Sequence, residues 1–111
     1  MEKRSLTALG REHLAAAAAD RHGRSAYTVF GGHEHVLRQT LLALTAGSAL
    51  DEHDSPGEAT LLVLQGRVQL RSADASWEGT VGDHLIIPPT RHALDAVEDS
   101  VVLLTVAKPH S

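Results

Sequence analysis

The chain has 111 residues, enough for one hydrophobic core and too few for two of ordinary size. Ten Lys and Arg against 14 Asp and Glu leave a formal net charge of −4, and Tyr27, Phe30 and Trp77 are the only aromatic residues. That balance argues against a phosphate-binding patch or a base-stacking platform, and so against nucleic acid as a partner, while the absence of cysteine excludes disulfides, thiolate-bound zinc and a thiolate nucleophile.

In chain order, Leu6, Leu9, His13, Leu14 and Ala17 recur at three- and four-residue steps behind Ser5, a capping residue, and run into an alanine tract. This predicts one amphipathic helix ending near Arg21-His22-Gly23-Arg24, with Gly23 supplying a left-handed stop. Residues 1–24 are read as helix and linker, and residues 25–111 as the body. The longest apolar run, Leu14 to Ala19, is far short of a membrane span, and no signal-like apolar region follows the start. No membrane association is expected, and the cytoplasm is the expected compartment.

Beyond residue 25 the texture changes to short β-rich runs punctuated by Gly, Pro, Asp and Ser. Eight strands are predicted: Ala26 to Phe30, Val36 to Leu44, Ala59 to Leu64, Val68 to Arg71, Ser76 to Val81, His84 to Ile87, His92 to Ala96 and Val101 to Val106. Several are apolar on both faces, Leu61-Leu62-Val63-Leu64 among them. Such a strand fits a barrel wall that has the interior on one side and a second layer or a subunit on the other.

Two stretches carry a pattern. Gly47 is followed at a fixed interval by His53, then by Ser55, Glu58 and Ala59, and the run closes at Gly66. After Arg67 to Val81 comes Gly82-Asp83-His84-Leu85-Ile86-Ile87-Pro88-Pro89-Thr90-Arg91-His92. These resemble, in order, the first and second motifs of the cupin family. The resemblance implies an all-β, cupin-type jelly-roll β-barrel with one N-terminal α-helix. It also implies a homodimer, expected to meet through the first strand or the helix, and a divalent ion (Fe, Mn, Ni or Zn) held by His53 and His92. Dioxygenase, isomerase or decarboxylase chemistry would then be open to it.

The departures from the family pattern fall on the ligand positions. Ser55 stands where a second His is usual and Ala59 where a Glu is usual, with Glu58 one residue off. A turn at Pro56-Gly57 would be needed to rotate Glu58 back inward as a third ligand. His84, or the pair His33 and His35 two residues apart at a strand entrance, are the other candidates for that place. The alternative reading is a metal-free module that binds a small-molecule ligand in a pocket lined by Ala59, Leu61, Val63 and Leu94, with Arg38, Thr40 and Ser55 as polar anchors. Arg38 and Thr40 share one face of their strand. Facing inward, Arg38 would clamp a carboxylate; facing outward, it would pair with an acidic neighbour. No Gly-rich phosphate loop or nucleophile elbow is present, so no organic cofactor and no covalent catalysis are expected.

Overall fold

The computed structural model describes residues 2–53 and 57–107. One helix, α1 (Leu6–Ala19), opens the fold. Ser5 caps it by accepting the Ala8 N–H at 3.2 Å. The helix stops at Asp20, earlier than Gly23, because Asp20 turns extended and its carboxylate accepts the N–H groups of His22 (2.9 Å) and Arg24 (3.2 Å). A side chain that binds nearby backbone donors in this way competes with continuation of the helix. Gly23, with φ +69°, serves the turn into the first strand instead.

Among the described residues nine strands follow: β1 (Arg24–Phe30), β2 (Leu37–Leu44), β3 (Ala49–His53), β4 (Glu58–Gln65), β5 (Arg67–Ser72), β6 (Ser76–Thr80), β7 (His84–Ile86), β8 (His92–Ala96) and β9 (Ser100–Ala107). Eight match the predicted strands to within about two residues. The ninth, β3, is short and polar, with no apolar alternation to mark it. All pairings are antiparallel, in a five-stranded sheet of order β1-β2-β9-β4-β7 and a four-stranded sheet of order β3-β8-β5-β6. The two sheets face each other as a jelly-roll barrel.

The doubly apolar strands divide their faces between two cores. Leu42 and Leu44 of β2, Leu61 and Val63 of β4, and Val102 and Val106 of β9 point between the sheets, where Val68, Leu70 and Leu94 meet them from the opposite side. Leu41, Ala43 and Val101 point the other way and pack with Ala17 of α1, flanked by Leu6, Leu9, Leu14 and Leu64. The second layer over the five-stranded sheet is therefore the chain's own helix. Fully burying one such Leu or Val contributes roughly 1.5–3 kcal/mol, so α1 is held chiefly by this apolar face.

Candidate functional site

The inward rows are read directly from the register. Arg38 of β2 pairs with Val106 of β9, which pairs with Ala59 of β4; Thr40 pairs with Leu104, which pairs with Leu61. Because cross-strand partners share a face, Arg38, Thr40 and Leu42 all belong to the barrel side of β2. Thr40 is half-buried and Arg38 exposed.

From the other sheet, β8 supplies His92. Pro88 and Pro89 lack ladder donors, the chain turns there, and pairing resumes at His92 against Ser72 of β5 and His53 of β3. His92 is 4% exposed. Its Nδ1 lies 2.8 Å from the carbonyl oxygen of Thr90. A carbonyl can only accept, so Nδ1 carries the proton, and in the neutral ring Nε2 is the nitrogen with the lone pair. The ring borders a cavity of about 40 Å³ otherwise lined by leucines 42, 50, 61, 70, 94 and 104 together with Ile87.

The other sequence candidates separate. Leu61 and Leu94 line this cavity; Ala59 and Val63 face inward but belong to the packed core beside it. Glu58 is exposed and alternates with buried Ala59, so β4 runs as a regular strand there and presents Glu58 on the outer face. His84 pairs with Leu62, away from the interior, and is exposed. His33 and His35 lie in the turn between β1 and β2, not on a strand, so the two-residue spacing gives them no common face. The His35 ring rests 4.7 Å from that of Phe30, and its Nε2 is 3.5 Å from Glu34. His53 holds the register position opposite His92, after a one-residue bulge in β3; its side chain and Ser55 lie outside the described residues. Sequence reasoning missed Leu42, Leu50, Leu70, Leu104 and Ile87 as lining residues. The parity that joins Leu42 to Arg38 and Thr40 was the available signal for the first of them.

The fold type implies a metal centre with several donors on inward positions; of the candidate ligands whose side chains are described, His92 is the one that stands on such a position. Ala59 occupies the inward position beside which Glu58 faces out, and among the described residues no three His, Asp or Glu side chains gather.

No protein-family model and no curated protein matches the chain. Solved structures do. An RmlC-like cupin protein from Desulfovibrio desulfuricans is 27% identical with a TM-score of 0.66, over 76% of this chain and 81% of that one. The chain has the fold of a small cupin. A conserved protein of unknown function from Streptococcus pyogenes is also 27% identical, with a TM-score of 0.73 over 83% of this chain and 80% of that chain. Salicylate 1,2-dioxygenase from Pseudoaminobacter salicylatoxidans is 16% identical with a TM-score of 0.77; this chain covers 34% of that enzyme, and the likeness is one of fold. Among the described residues, no helix is long and apolar enough to cross a membrane.

Proposed function

We propose that this cupin is a small-molecule-binding module whose site is the His92 end of the barrel, and that binding there does not depend on a metal. The observation that carries the reading is the surroundings of His92: a buried imidazole, its proton fixed on Nδ1 by Thr90, set among aliphatic side chains with an alanine on the inward row where a carboxylate ligand would stand. An apolar wall with one oriented polar group is the usual composition of a ligand pocket. The inward face continues past Leu42 to Thr40 and Arg38, which extends the site toward solvent.

Elemental analysis and thermal shift on the whole protein test this. The expected outcome is substoichiometric metal after purification and supplementation, no stabilisation by Fe, Mn, Ni or Zn, and stabilisation by an organic ligand that His92→Ala removes. One tightly held equivalent of metal, lost in both His53→Ala and His92→Ala, would replace this reading with an ion held between the two histidines and with metal-dependent oxygenase or isomerase chemistry.

We further propose that the protein is a homodimer meeting through β1. This strand is an edge of the five-stranded sheet, and Phe30, Val36 and Leu37 stand exposed at its end and on the segment that follows.

A further inference from the structure

We infer that the ligand of this site is a small organic anion, its acidic group held by Arg38 and its uncharged end turned toward the His92 cavity; the inference rests on the small-molecule reading above. Three observations carry it.

The first is the sign of the inward charge. The chain as a whole is acidic, with 14 Asp and Glu against ten Lys and Arg. Yet among the register-paired residues that face inward none is Asp or Glu, and the formally charged ones are Arg24 and Arg38. Asp95 and Glu78, which lie on paired strands, belong to the outer rows.

The second is what the arginines do. Arg24 donates from Nη1 to the Ala49 carbonyl at 3.0 Å. Arg67 is bound to Glu78 and Glu98, and Arg71 forks onto Asp95 at 2.5 and 3.3 Å. Arg38 makes no hydrogen bond or ion pair with any described residue, although the six residues that follow it in β2 are all buried or half-buried. A planar guanidinium offers two parallel N–H donors to a carboxylate, and no described residue gives Arg38 that partner.

The third is the immediate setting. Thr28 and Thr40 are direct partners across β1 and β2, on the same face as Arg38. A Cβ at Gly31 would stand 3.1 Å from Cγ of Arg38 and 3.4 Å from Cγ2 of Thr28, so the glycine lets the loop close against the arginine stem. Two threonines thus share a face with Arg38, and Thr40 is next in its row to Leu104 and two residues from Leu42, both of which line the His92 cavity. The cavity itself, about 40 Å³, admits only a short uncharged end. The ligand class is accordingly a small carboxylic acid or an acid of similar geometry.

The test is calorimetric titration of the full chain with acetate, butyrate and benzoate, each beside its amide, which has nearly the same shape without the charge. At least one acid is expected to bind ten-fold or more tightly than its amide. Arg38→Gln should abolish that preference and Arg38→Lys should keep part of it, with the thermal midpoint of both variants near that of the parent. Amides binding as well as acids, or acid binding unchanged in Arg38→Gln, would overturn the anion assignment and leave the small-molecule reading standing. Failure of every acid and amide, in a protein that retains stoichiometric metal, would overturn both.

Discussion

Gly66 joins β4 to β5 with φ +84°, and a Cβ there would collide with the carbonyl oxygen of Asp99 and with Ser100. Ser100 is fully buried; its Oγ accepts the Arg67 N–H at 3.0 Å and has the carbonyl of Glu98 within donating distance at 2.7 Å. The strained backbone conformation alone costs about 1–3 kcal/mol for a residue other than glycine, and the collision adds to it. Gly66→Ala is therefore expected to lower the unfolding free energy in urea by about 2 kcal/mol or more. Asp20 offers a test of a different kind. The N–H groups of Arg24 and His22 hold its carboxyl below the usual value of 3.8. The folded state prefers the carboxylate, so this contribution is complete above that value and fades as falling pH protonates the group. Thermal midpoints of the parent and Asp20→Asn should differ at neutral pH and converge below about pH 3.8, and a gap that persists unchanged in acid would refute the assignment.

At the scale of elements, the helix and β2 depend on one another. Leu41 is fully buried between them, and Leu41→Ala is expected to cost about 2–5 kcal/mol, the range for an aliphatic side chain removed from a packed core. Because the lost contacts are those of α1, hydrogen exchange in residues 6–19 should rise more than exchange in β5 and β8. The helix was legible in the sequence because Ser5 and the three- and four-residue spacing are local signals. Its stop was not, since Gly23 advertises a left-handed turn whereas the Asp20 carboxylate acts first. Most strands were legible for a like reason. β3 was not: its pairing with β8 is decided by a strand that begins 39 residues after His53, and the polar sequence Asp51-Glu52-His53 carries no period of two.

For the whole molecule, light scattering at micromolar concentration is expected to give twice the mass of one chain, and Phe30→Asp is expected to shift the population toward the monomer; a monomeric parent would remove the dimer proposal. The site likewise belongs to this scale, since His92 reaches its cavity from one sheet while Leu42, Leu61 and Leu104 reach it from the other. The sequence by itself determined that the body is β-rich, that a helix precedes it, that His92 lies behind a proline turn, and that Arg38 and Thr40 share a face. These follow from local backbone preferences and from the two-residue period of a strand. Only the tertiary structure decided that this shared face is the inner one, that Glu58 looks outward and that His84 does too. In β2 and β4 both faces are apolar, so parity groups the residues but does not say which group meets the helix and which meets the opposite sheet; that choice is made by long-range packing.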